Sequence, residues 1–148
     1  MSDEPAFNER KFREDYAMLE SAKAQLDALA KQQQLIQLAV EEHVRARETI
    51  KSLRKGAPGD GVLIPIGADS YIHANISDNR NAIVGVGSST SIRRTPEEAE
   101  KILDEKIDEL SRAFKAVIDR AAQLETMAQE LSDKVQQQYD VMQASGQA

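Results

Sequence analysis

Apolar residues recur along this chain with two different periods, and the period switches twice. From Ala6 to Lys55, and again from Glu97 to Ser145, there is no glycine or proline. In both stretches apolar residues return at three- and four-residue spacing, the pattern of a helix that buries a narrow seam. One series of the first stretch runs Leu19, Leu26, Gln33, Val40 and Arg47; the other runs Ala22, Leu29, Ile36, His43 and Ile50. Phe12 extends the first series backwards. Gln33, His43 and Arg47 interrupt the seam, as polar residues do where they set register and partner at some cost in stability. The second stretch is cleaner. Leu103, Leu110, Val117, Leu124 and Leu131 form one series, and Ile107, Phe114, Ala121, Ala128, Val135 and Met142 form the other. The small Ala121 and Ala128 let a partner helix approach closely.

Between these stretches the period drops to two. Gly61 to Gly67 is an apolar run closed by glycine, and Tyr71 to Ile76 alternates, with Tyr71, His73 and Asn75 on one side and Ile72, Ala74 and Ile76 on the other. Asp78-Asn79-Arg80-Asn81 is turn chemistry. Ala82 to Gly87 and Thr90 to Arg94 complete the set. β-Branched residues, alternation and Gly/Asn/Asp punctuation predict four short strands in two successive hairpins. The segment also repeats loosely: Ile66-Gly67 followed by Ile72 matches Val86-Gly87 followed by Ile92, an offset of twenty residues.

The boundaries are marked locally. Gly56-Ala57-Pro58-Gly59-Asp60-Gly61 stops the first helix. Thr95-Pro96-Glu97-Glu98 starts the second, with an N-cap, a proline at the first helical position and a glutamate placed to close a capping box. Arg45, Arg47, Lys51, Arg54 and Lys55 gather near the first helix's C-terminal end, where the helix dipole favours cations, and read as a solvated end ahead of an anion site. Two helices of matched length joined by a short β connector predict an α+β fold. It is a long antiparallel two-helix coiled coil (6–55 and 96–145) joined by two β-hairpins (61–94), one unit over 1–148. The strands lie at the base of the helix pair and both termini at its tip.

Composition narrows the function. Aromatic residues make up 4% of the chain and there is no tryptophan, which favours long helices over a thick core and points to partner subunits. A net charge of −6 argues against nucleic-acid binding. No apolar run approaches a membrane span, Met1-Ser2-Asp3-Glu4 is unlike a signal peptide, and the absence of cysteine fits a cytoplasmic protein. No catalytic site is expected. His43 falls on a helix seam and His73 on a strand, without the spacing of a metal site. Gly85-x-Gly87 lacks the third glycine and the following helix of a dinucleotide loop, and no Walker-type Gly-Lys-Ser/Thr occurs. No cofactor or metal is expected, and nothing in the chain calls for ATP hydrolysis.

Two groups of apolar residues exceed what a two-helix seam uses. Val62, Ile64, Ile66, Tyr71, Ile72, Ile83, Val84 and Val86 supply more strand surface than one helix pair covers, and their open edges ask for other subunits. Near the tip, Phe7, Phe12, Tyr16, Met18 and Leu19 open the chain while Leu131, Val135, Tyr139, Val141 and Met142 close it. These residues either zip the end of the coiled coil or stay exposed and bind apolar partners.

The order helix, Val62-Leu63-Ile64-Pro65-Ile66-Gly67-Ala68-x-x-Tyr71-Ile72-x-Ala74, a second hairpin at Val84-Gly85-Val86-Gly87, Thr95-Pro96-Glu97-Glu98-Ala99 and a second long helix resembles the alpha class of the prefoldin family. The resemblance covers nearly the whole chain, and the paired hairpins point to the alpha and not the beta class. It implies a hexamer of two alpha and four beta subunits, with strands from all subunits forming a double β-barrel platform. It further implies ATP-independent holding of unfolded proteins and delivery to a group II chaperonin. Asp69-Ser70 departs from the usual glycine and apolar residue after Gly67-Ala68, and Thr90-Ser91 with Arg93 makes the last strand more polar than is typical. A coiled-coil scaffold or adaptor and a nucleotide-exchange type co-chaperone remain as alternatives.

Overall fold

The computed structural model describes residues 6–146; Met1-Ser2-Asp3-Glu4, read above as unlike a signal peptide, lies outside them. The order is α1 (Glu9–Arg54), β1 (Gly61–Gly67), β2 (Ser70–Asn75), β3 (Ala82–Gly87), β4 (Thr90–Arg94) and α2 (Pro96–Gly146). Two compact units emerge, one of Met1–Ile36 with Ala113–Ala148 and one of Gln37–Arg112.

In the first unit the ends of α1 and α2 run antiparallel, since the Gln138 side chain donates to Asp15 across the pair at 3.0 Å. The buried apolar residues fall on the heptad series: Leu19 and Ala22 of α1, and Val117, Leu124 and Leu131 of α2. Each buried leucine contributes about 1.5–3 kcal/mol over its exposed counterpart.

In the second unit Val84, Ala99 and Leu103 form a small buried cluster, with Ile50, Ala82, Ile92 and Ile102 packed against it. Three ion pairs from two arginines tie α1 to α2 here. Arg47 reaches Asp104 at 2.9 Å, and Arg54 reaches Glu97 at 3.0 Å and Glu100 at 3.1 Å. Two members of the basic cluster are thus cross-helix ties, beyond the dipole role expected of them. The pairing carboxylates raise the pKa of both guanidiniums, which stay charged at any working pH.

The start of α2 is closed by a reciprocal cap. Thr95 Oγ1 accepts from the Glu98 amide at 3.2 Å, and Glu98 Oε2 accepts from the Thr95 amide at 3.4 Å. Losing such a cap costs about 1 kcal/mol. After α1, the Asp60 carboxylate accepts from the Ala57 amide at 2.8 Å and closes the turn.

The strands make two separate antiparallel hairpins, β1-β2 and β3-β4. Opposite residues share a face, so Val62↔Ala74 and Ile64↔Ile72 lie on one side of the first hairpin, with Leu63↔His73 and Pro65↔Tyr71 on the other. In the second, Val84↔Ile92 lies on the face turned to the core cluster, while Ile83↔Arg93 and Gly85↔Ser91 lie on the opposite face. The twenty-residue repeat is geometric as well. Both turns carry a bulge before the closing glycine, and two non-glycine residues follow it at positive φ: Ala68 (50°) and Asp69 (53°), then Ser88 (51°) and Ser89 (59°). Gly67 (101°) and Gly87 (104°) supply the conformation that other residues resist.

Candidate functional site

Two surfaces carry apolar groups that the chain leaves uncovered. The first is the strand region. Ile64, Ile66, Tyr71, Ile72, Ile83 and Val86 are exposed, Ile83 by 71%, and Val62 is half-buried. Val84 was expected among the subunit contacts, but it packs on Ala99 and Leu103 within its own chain, so it has no surface to offer. Leu63 was not singled out, yet it is exposed and stands on the same face as Tyr71. The first hairpin is therefore apolar on both faces. A lone two-stranded hairpin is marginal in water, and this one has little of its own chain to lean on beyond Gly59 and Asp60, whose backbones bond to that of Ile76.

The second surface is the end of the helix pair that carries both termini. Phe7 and Phe12 meet with ring centroids 5.7 Å apart and tilted by 57°, and Phe12 stacks on Tyr16 at 6.3 Å and 21°. These three aromatics make a ladder that begins just before α1 and runs along its first turns. Ala6, Phe7, Asn8, Gln137, Gln138 and Val141 line a groove of about 220 Å³. Phe7, Phe12, Val135, Val141 and Met142 are half-buried, while Tyr16, Met18 and Tyr139 are exposed. Leu19 and Leu131, expected with them, are each 5% exposed on the helix seam. Their apolar area is spent on pairing the helices. Gln143 donates to the Tyr139 hydroxyl at 2.7 Å, which keeps that ring along the helix.

A polar layer sits beside this end. Asp15 is 2% exposed. It accepts from Gln138 Nε2 at 3.0 Å and faces Lys11 Nζ at 3.4 Å, while Gln138 Oε1 is buried without a hydrogen-bond partner among the described residues. An orphaned acceptor of this kind costs about 1–3 kcal/mol. Neither residue stood out as functional in the sequence, although the signal was present. Asp15 lies seven residues before Ala22, and Gln138 seven after Leu131, both on the seam.

Among the described residues no group of three or more His, Asp or Glu could hold a metal ion, and no helix is long and apolar enough to cross a membrane. His43 Nδ1 lies 2.6 Å from the Ala39 carbonyl oxygen, an intrahelical contact.

A family model described as prefoldin subunit matches residues 22–140. The chain belongs to the prefoldin family. Among its relatives are the prefoldin subunit alpha of Pyrococcus horikoshii, 36% identical over 77% of this chain and 78% of that one, and the prefoldin subunit alpha of Methanoculleus marisnigri, 30% identical over 78% and 76%. Solved prefoldin structures share the fold. A chain of the filamentous prefoldin from Methanocaldococcus jannaschii aligns with a TM-score of 0.67 at 21% identity, over 80% of this chain and 98% of that one. The prefoldin beta subunit from Thermococcus strain KS-1 gives 0.57 at 20%, over 86% and 90%. The family match takes in both hairpins and most of both helices. The aromatic ladder of Phe7, Phe12 and Tyr16 lies before the matched span, and Val141 and Met142 lie after it.

Proposed function

We propose that this prefoldin-family subunit holds non-native proteins without ATP, gripping them at the helix ends that carry Phe7, Phe12, Tyr16, Met18, Val135, Tyr139, Val141 and Met142. The observation that carries this reading is the aromatic ladder and apolar groove at that end, built from both helices and left open. Exposed apolar groups of this kind bind the apolar side chains that an unfolded protein displays. One such site is weak. Several in one assembly bind by avidity, which needs no nucleotide.

The assembly is the part of the strands. Val62, Ile64, Ile66, Tyr71, Ile72, Ile83 and Val86, joined by Leu63, pair with strands and apolar faces of beta-class subunits in a hexamer of two alpha and four beta chains. The held protein passes to a group II chaperonin, in the cytoplasm.

The test compares the complete complex with one whose alpha subunits lack residues 1–18 and 135–148. Both should keep the same subunit composition by light scattering, because the strands and the buried apolar seam are untouched. Suppression of aggregation of a chemically denatured model protein should drop sharply in the truncated complex. Full protection by the truncated complex would place the grip elsewhere. A complex that binds one folded partner and ignores denatured chains would favour a scaffold.

A further inference from the structure

The helix seam changes character at Asp15 and Gln138. On the inner side Leu19, Ala22, Leu124 and Leu131 are buried in an apolar seam. On the outer side Phe7, Phe12, Val141 and Met142 are only half-buried, and the groove beside Phe7 and Val141 begins at Gln138 itself. The border is a carboxylate and an amide, held by one bond of 3.0 Å, with the second amide oxygen buried and unpartnered.

We propose that this pair is a breakpoint: on capture of a non-native segment the helices part between residues 6–14 and 139–146, as far as Asp15 and Gln138 and no further. Parting an apolar layer exposes carbon to water and is opposed by the hydrophobic effect. Parting the polar layer is different. The Asp15 carboxylate regains full hydration, and the Gln138 oxygen gains the partner it lacks in the closed pair. Lys11, already half in solvent, follows its carboxylate outward at little cost. Farther inward along the seam Leu19 and Leu131 are buried, and opening stops there. The parted ends then turn the inner sides of Phe7, Phe12, Val141 and Met142 toward an extended apolar segment of the captured protein. Polar residues in a coiled-coil seam are known devices for specifying pairing; here the same device sets how far the pair opens.

The inference rests on the reading of this end as the capture surface, and its test separates the two. Asp15→Leu with Gln138→Leu makes the layer apolar at heptad positions, so the helix pair is retained. In the assembled complex, amide hydrogen exchange at residues 12–18 and 139–146 should slow at least tenfold in this variant, with no change at 22–30, and aggregation of a denatured model protein should be suppressed less well. Unchanged exchange, or slowed exchange with undiminished protection, overturns the breakpoint.

A second arm uses the absence of cysteine. Phe7→Cys with Val141→Cys places one pair of thiols across the groove. Oxidation should reduce protection as sharply as the truncation does, and reductant should restore it within the same molecule. Equal protection in both redox states overturns the breakpoint while leaving the capture surface standing, provided that the truncated complex has lost protection. Full protection by the truncated complex overturns both.

Discussion

Leu124 and Leu35 are both leucines on long helices, and the chain treats them oppositely: the first is 1% exposed and the second 67%. Leu124→Ala should therefore cost about 2–5 kcal/mol, while Leu35→Ala should fall within about 0.5 kcal/mol. Denaturant unfolding of the assembled complex reads both. The heptad count makes this difference legible without coordinates, because Leu124 sits on a series and Leu35 does not. Asp15 was legible only in hindsight. Counting seven residues back from Ala22 lands on it, but a carboxylate at a seam position reads as the seam's end until its partner, Gln138, is seen 123 positions further along the chain. Val84 shows the opposite limit. Alternation places it on a face, and only the packed tertiary structure tells whether that face meets Ala99 and Leu103 or another subunit.

The loop and hairpin elements are specified by local chemistry, and they respond to it. Asp78 accepts from the Asn81 side chain at 3.0 Å and from the Arg80 amide at 2.8 Å; these bonds hold its pKa below the ordinary carboxylate value. A depressed folded-state pKa means that the stabilisation is present above the unfolded-state pKa, about 3.9, and is lost as the pH falls through the lower folded value. Asp78→Asn should lower the neutral-pH thermal midpoint, where the ionised carboxylate contributes, and flatten the fall in that acid window, a comparison that a pH series of melts makes directly. The hairpin turns offer the reverse experiment. Ala68 occupies the left-handed region at a steric cost of about 1–2 kcal/mol, and Asp69, of a type that tolerates it better, follows it there, where Asn-Gly is the favoured pair. Ala68→Asn with Asp69→Gly should raise the protection of the β1-β2 amides by about 1 kcal/mol or more in hydrogen exchange. The turns were legible from Gly67 and Gly87 and from their twenty-residue offset. The strained residues beside them were not, because alanine and serine give no sequence signal for positive φ.

For the molecule as a whole, the uncovered strands decide its state. The first hairpin presents Ile64 and Ile72 on one face and Leu63, Pro65 and Tyr71 on the other, so a stable position for it has neighbours on both sides. Ile64→Thr with Ile72→Thr, or Leu63→Thr with Tyr71→Thr, should each lower the affinity of the chain for beta-class partners, and the wild-type chain alone should self-associate. Analytical ultracentrifugation of the chain with and without its partners distinguishes these. If only one pair matters, the other face is open to water in the assembly. Both faces follow from alternation in the sequence; the lack of covering from the chain's own helices does not, since it depends on where α1 and α2 leave the hairpin.

The placement of the tyrosines has an optical consequence. The chain has three tyrosines and no tryptophan, with Tyr16 and Tyr139 on the end that carries the termini and Tyr71 on the first hairpin. Tyrosine emission is therefore not masked by indole in the isolated chain, and Tyr71→Phe leaves a fluorophore pair confined to the end proposed to hold non-native chains. A captured segment that shields Tyr16 from a soluble quencher reports occupancy in real time, with no dye attached, while the Tyr16→Phe, Tyr139→Phe chain reports strand assembly from Tyr71 alone. The fold thus carries two separately addressable built-in reporters, one for each of its surfaces.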